Sequence, residues 1–121
     1  MGYMDEQTHL QKFEARKKSA EGRNAPLDDV ADSILDDYRA AAGHLINAAL
    51  ARKNLHQQNF DQLVRFLKEH PDSVGEHTLT IRSLYDELKT LRASRVYGSK
   101  KNGEAVERAR EILDQLQVMC G

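Results

Sequence analysis

The feature that most constrains this chain is its apolar spacing. Between three short breaks, apolar residues recur at intervals of three and four, the period of an α-helix. The breaks are Arg23-Asn24-Ala25-Pro26, His70-Pro71-Asp72-Ser73 and Gly98-Ser99-Lys100-Lys101-Asn102-Gly103. Strand formers are scarce: three Phe, four Tyr and no Trp. Ala, Leu, Glu, Lys, Arg and Gln, which favour helix, dominate instead. The 121 residues are one domain's worth, enough to bury a core without staples. Two Pro, seven Gly and 40% hydrophobic residues exclude a collagen-like chain, a disulfide scaffold and a wholly disordered chain.

The spacing predicts five helices. The first, about Asp5 to Glu21, has only Leu10, Phe13 and Ala20 on its stripe, so residues 1–22 are prone to fray. The second, Leu27 to Lys53, starts beside Pro26, a good first-turn residue, and carries Val30, Ile34, Tyr38, Ala41, Leu45 and Ala48 on one face. Ala40-Ala41-Ala42-Gly43 thins its middle and allows close approach. The third, Asn59 to His70, is short, capped by Asn59 and stopped by Pro71. The fourth, Gly75 to Tyr97, carries Ile81, Leu84, Tyr85, Leu88 and Leu91, with Gly98 as terminator. The fifth, Gly103 to Met119, takes Asn102 as cap and carries Val106, Ala109, Leu113 and Leu116. Short connections favour antiparallel neighbours. The expected fold is therefore all-α: an antiparallel up-and-down bundle of four long helices and one short one in a single domain, residues 1–121, with 27–119 as its core.

The formal charge is only −1, which argues against general nucleic-acid coating. That total hides an asymmetry. Leu27 to Asp37 holds Asp28, Asp29, Asp32, Asp36 and Asp37 and no basic residue. Arg92 to Arg110 holds six basic residues against Glu104 and Glu107, a local net of +4. The acidic run reads as a solvated helix start favoured by the dipole, or as a docking patch for a basic partner. One cysteine, no apolar run of membrane length and no apolar signal core point to a cytoplasmic protein with no membrane partner.

Familiar catalytic and metal patterns are missing. None of His9, His44, His56, His70 and His77 forms an i, i+4 pair, so they read as solvated or partly packed side chains and no metal is expected. There is no Glu-x-x-His for a di-iron site. Cys120 lies one residue from the last position, where chains fray, and lacks the setting of a nucleophile. No phosphate-cradling glycine loop follows a strand, and no cofactor is expected. Arg92 and Arg95 fall on or beside the fourth helix's stripe, followed by Tyr97, Lys100 and Lys101. A guanidinium fork matches a phosphodiester, and a phenol can donate to phosphate or stack on a base. The same arginines also suit simple snorkelling along the stripe.

The run Leu84-Tyr85, Leu88, Leu91-Arg92-Ala93-Ser94-Arg95-Val96-Tyr97-Gly98, followed by Gly103-Glu104-Ala105-Val106, Ala109 and Ile112-Leu113, resembles the C-terminal half of the HEPN domain. That is the nucleotide-binding helical domain of higher eukaryotes and prokaryotes. Ala40 to Leu50 and Phe60 to Leu67 are similar as well, so the resemblance spans Leu27 to Leu116. It implies a dimeric up-and-down bundle, in many relatives an RNA-cleaving toxin or defence nuclease paired with a nucleotidyltransferase-like antitoxin. Arg92 matches the family's arginine. Tyr97 stands where active members carry histidine, Ala93 where they carry a polar residue, and Val96 where an aspartate often precedes the tyrosine. Arg92 and Tyr97 are thus the catalytic candidates, and Arg92, Arg95, Tyr97, Lys100 and Lys101 the phosphate-binding ones. Tyrosine is a poor general base at neutral pH, which favours binding of RNA or nucleotide over cleavage. A homodimer is expected around the fourth helix, because Tyr85, Leu88, Leu91 and Arg92 make a stripe too broad for one neighbour. The competing reading is a non-catalytic module docking a protein through its acidic and basic ends. A small-ligand or metal enzyme is a third.

Overall fold

Asp5 opens the first helix, its carboxylate accepting the Thr8 backbone N–H at 2.8 Å. The computed structural model describes residues 5–22, 27–57, 59–94 and 98–120; the side chains of 27–29, 92–94 and 98–102 lie outside that description. The chain is all-α. Its helices are α1 (Glu6–Glu21), α2 (Leu27–Ala51), α3 (Leu63–Glu69), α4 (Thr78–Ser94) and α5 (Gly98–Cys120), with a 3-10 turn at Phe60–Gln62 before α3. Among the described residues there is no strand. No described helix is long and apolar enough to cross a membrane.

α2 ends in a turn that the sequence conceals. Asn54 takes the left-handed conformation, φ 58°, usually left to glycine. The Leu55 N–H then reaches back to the Leu50 carbonyl at 3.0 Å and the Asn54 N–H to the Ala51 carbonyl at 3.0 Å. These two bonds satisfy carbonyls that the helix end would orphan. Asn59 caps as expected, accepting the Asp61 N–H at 2.9 Å, but the turn it opens is 3-10 before it becomes α3.

Two boundaries differ from the expected ones. α4 starts at Thr78 rather than Gly75, because Gly75 has φ 94°, outside helical space. The Thr78 hydroxyl donates to the Gly75 carbonyl at 2.6 Å and accepts the Val74 N–H at 3.1 Å. α5 starts at Gly98, so Gly98–Gly103 is helix rather than loop and Asn102 is not a cap. Lys100, Lys101 and Glu104 are good helix formers, and a glycine costs least in a first turn whose N–H groups are unpaired anyway. α4 is described to Ser94.

One core draws on every helix: Phe13 and Ala20 from α1; Ile34, Tyr38, Leu45 and Leu50 from α2; Leu63 and Leu67 from α3; Ile81, Tyr85 and Leu88 from α4; Ile112, Leu113 and Leu116 from α5. α1 therefore packs, with Phe13 nearly solvent-free, instead of fraying. Tyr85 and Leu88 of the α4 stripe are buried within the chain, while Leu91 is partly buried.

Side-chain contacts give the helix directions. His9 meets His44 while Arg16 and Ser19 meet Asp37, so α1 runs antiparallel to α2. Arg52, just beyond α2, donates to the Cys120 carbonyl, and the Arg110 and Asp114 charges act on Tyr38, so α2 and α5 run the same way. Arg108 of α5 forks onto Glu87 of α4, with Nε and Nη2 each on one carboxylate oxygen. Given the short connection, these two run oppositely.

Candidate functional site

The residues expected to bind phosphate fall at the α4–α5 junction. Arg92 is in the last turn of α4, and Lys100 and Lys101 are in the first turns of α5. Arg95 and Tyr97 lie outside the described residues, as do the side chains of Arg92, Lys100 and Lys101. The helix directions add a point about charge. The start of α2 lies at the same end of the molecule as the start of α5 and the end of α4. By helix position, Asp28, Asp29 and Asp32 therefore share an end with Arg92, Lys100 and Lys101.

The acidic run is also not uniform. Asp32 and Asp36 are exposed, but Asp37 is only 3% exposed. Its carboxylate accepts Arg16 Nη1 at 2.8 Å and the Ser19 hydroxyl at 2.8 Å. Asp37 is part of the α1–α2 contact, not of a solvated face.

A second constellation lies toward the opposite end of α1, with no local sequence pattern to mark it. His9, His44 and His56 form a chain of three imidazoles. His9 Nδ1 is 3.1 Å from His44 Nδ1, and His9 Nε2 is 3.4 Å from His56 Nδ1. The rings of His9 lie 5.3 and 5.2 Å from those of its partners, and His44 meets Phe60 edge-on. His9 is 1% exposed, so the expectation of solvated or partly packed histidines fails for it.

Each ring is positioned by a separate device. His9 sits one turn into α1, on the face that carries Phe13. His44 follows Gly43, where Phe60 presses so close that a Cβ would lie 2.8 Å from its ring carbons. His56 comes two residues after the left-handed Asn54. The next residue is clamped by Asn47, wholly buried in α2. Asn47 Nδ2 donates to the Gln57 carbonyl at 3.0 Å and to the Gly43 carbonyl at 3.0 Å, while its Oδ1 accepts the Gln57 N–H at 2.9 Å.

Burial holds all three imidazoles below the ordinary histidine value, His44 down to about 4. They are neutral at pH 7. A neutral ring has one N–H, so His9 donates across one contact and accepts across the other. His9 spends its two nitrogens on different neighbours, so the rings do not converge on one point. Among the described residues no group of His, Cys, Asp and Glu could hold a metal ion. His70 instead packs on Phe66, and His77 is exposed beside Glu76. Cys120 is buried rather than frayed, and burial pushes its thiol up to about 12. It holds no thiolate at neutral pH.

Compared with family models, curated proteins and solved structures, the chain finds no significant match.

Proposed function

We propose that this chain is a HEPN-like antiparallel helical bundle that binds RNA or a nucleotide phosphate at the α4–α5 junction. The observation that carries this reading is the uninterrupted cationic run there. Lys89, Arg92, Arg95, Lys100 and Lys101 occur between Leu88 and Gly103 with no acidic residue among them. α4 ends and α5 begins inside that run, so the unpaired N–H groups of α5's first turn share its location. Guanidinium forks beside helix N–H groups suit a phosphodiester, and Tyr97 adds a stacking or donating phenol. The proposal is binding. Strand cleavage would want a general base near neutral pH, and Tyr97 holds the position that active HEPN members give to histidine. Arg92 and Tyr97 are the residues through which any ribonuclease activity would run. The setting that fits is a cytoplasmic toxin–antitoxin or defence pair, with a nucleotidyltransferase-like protein as partner.

Fluorescence anisotropy with a short labelled RNA tests this at two salt concentrations. Arg92→Ala should weaken binding roughly tenfold to over a hundredfold, the loss of one charge-assisted fork. Arg92→Lys should recover part of it, since an ammonium lacks the planar fork. Unchanged affinity and salt slope in Arg92→Ala would remove the reading.

A second reading rests on the placement of charge. With Asp28, Asp29 and Asp32 at the same end as the cationic run, that end is self-complementary. A two-fold homodimer there would set the acidic start of one α2 against the basic junction of its partner. Sedimentation at tens of micromolar, an arbitrary but informative concentration, should show a dimer that half-molar salt dissociates. A monomer at low salt would refute it.

A further inference from the structure

The imidazole chain His44–His9–His56 serves neither reading and lies away from the α4–α5 junction. Its proton count is limited by geometry. Each of its two contacts, 3.1 and 3.4 Å, is held by a single bridging proton. With all rings neutral, both contacts can be satisfied. With one ring charged they still can: a charged His9 donates to both neighbours, and a charged His44 or His56 donates to His9, which donates onward. With any two rings charged, at least one contact sets N–H against N–H. A docked trio therefore accommodates at most one extra proton, whereas three free histidines take three below their ordinary pKa of about 6.5.

What the trio joins is α1 to the rest of the chain. α1 also sets Phe13 and Ala20 into the core, packs the partly buried Leu10 against it, and makes polar links. Those links are Arg16 and Ser19 to Asp37, Glu6 to Arg52, and Lys17 to Gln117. Proteins open locally as well as globally, so one helix can leave while the others keep their packing.

We propose that α1 is an acid-released latch, docked on α2 while the His44–His9–His56 chain carries no more than one charge and freed when a second proton arrives. The groups around the trio are consistent with this. On α1, Lys12 and Arg16 oppose added charge and Asp5 favours it. Glu6 is paired with Arg52 beyond α2, and Asp37 of α2 with Arg16. From the 3-10 turn the neighbour of His44 is the uncharged Phe60. Release would bare the α2 face now under α1, which includes Ala41 and His44.

Hydrogen exchange of the whole chain, corrected for the intrinsic pH dependence of exchange, tests the latch. Between pH 7.5 and 5, protection of residues 6–21 should fall at least about thirtyfold. That figure is a floor: it counts one net proton at a tenfold change per pH unit below about 6.5, whereas three freed rings against one charge in the docked trio take up two. Residues 78–94 should keep their protection. His9→Gln, whose amide still offers one donor and one acceptor, should flatten the α1 profile. His77→Gln, on an exposed ring, should leave it as in the parent chain. The wild-type profile decides alone should His9→Gln fail to fold. Equal protection of α1 at both pH values, loss of α1 and α4 together in one transition, or a His9→Gln profile as steep as wild type would overturn the proposal.

Discussion

Asn47 is the position where the structure makes its most quantitative demand. Its side chain is fully buried and makes three hydrogen bonds, two of them to both backbone groups of Gln57. Asn47→Ala deletes all three and leaves the Gln57 N–H and carbonyl without their partners. A neutral hydrogen bond contributes about 0.5–1.5 kcal/mol, and an orphaned buried polar group costs roughly 1–3 kcal/mol. The two Gln57 groups are only partly buried, so water recovers some of the loss. The expected destabilisation is about 2–4 kcal/mol. For a chain of this size roughly 4 °C of melting temperature goes with each kcal/mol, so the midpoint should fall by about 8–16 °C. Urea unfolding followed by circular dichroism gives the free energy directly. Asn47→Asp is the sharper comparison. It keeps the acceptor for the Gln57 N–H but turns a carboxylate toward the Gly43 and Gln57 carbonyls, so at pH 7.5 it should be at least as damaging as Asn47→Ala. A loss below about 1 kcal/mol in Asn47→Ala would mean that the clamp does not hold the segment after α2, and the account of how His56 is positioned would fall with it.

Other expectations follow from single contacts. Gly43→Ala gains about 1 kcal/mol of helix propensity. Its Cβ, however, would lie 2.8 Å from Phe60 ring carbons, so the variant should be net destabilised unless Phe60→Leu accompanies it; a more stable single variant would refute the close contact. Glu87→Gln removes the Arg108 fork, but both side chains are more than a third exposed, so the loss should stay under about 1 kcal/mol and shrink in salt. The fork holds the Glu87 carboxyl below its ordinary value. Its stabilisation is thus complete above that ordinary value, is lost as pH falls through the depressed one, and should shrink step by step in melts taken at successively lower pH. Cys120, with its thiol pushed up to about 12, should resist a thiol reagent at pH 8 in the folded chain and react promptly in urea; rapid labelling of the folded chain would show that α5's end is not docked.

The helices were legible because each carries its apolar residues at helical spacing, and because Asn59 and Pro71 punctuate the chain with residues that have few other uses there. Asn54 was not, since it hides in the polar run Arg52-Lys53-Asn54 and only the observed φ reveals its role. The start of α5 is hidden because Gly98 and Gly103 look like punctuation, while the lysines between them favour helix. The imidazole chain left no trace in the sequence. Its contacts join positions 35 and 47 residues apart, and no local pattern encodes a meeting of three helix and loop segments. Asp37 was likewise indistinguishable from its acidic neighbours until Arg16 and Ser19 were seen to reach it.

Arg52 reaches Glu6 with Nε at 2.6 Å and the Cys120 carbonyl with Nη1 at 2.7 Å. One guanidinium thus spans from the beginning of α1 to the end of α5, and the chain path nearly closes on itself. A short Gly/Ser bridge from the end of α5 to the start of α1 could join them, and the backbone could be reopened in the exposed 71–72 turn, where Lys53 Nζ donates to the Asp72 carbonyl at 2.7 Å. Such a circular permutant would make α4 the first helix and α3 the last. α1 would then be held between two covalent connections, both of which would have to move for it to leave α2.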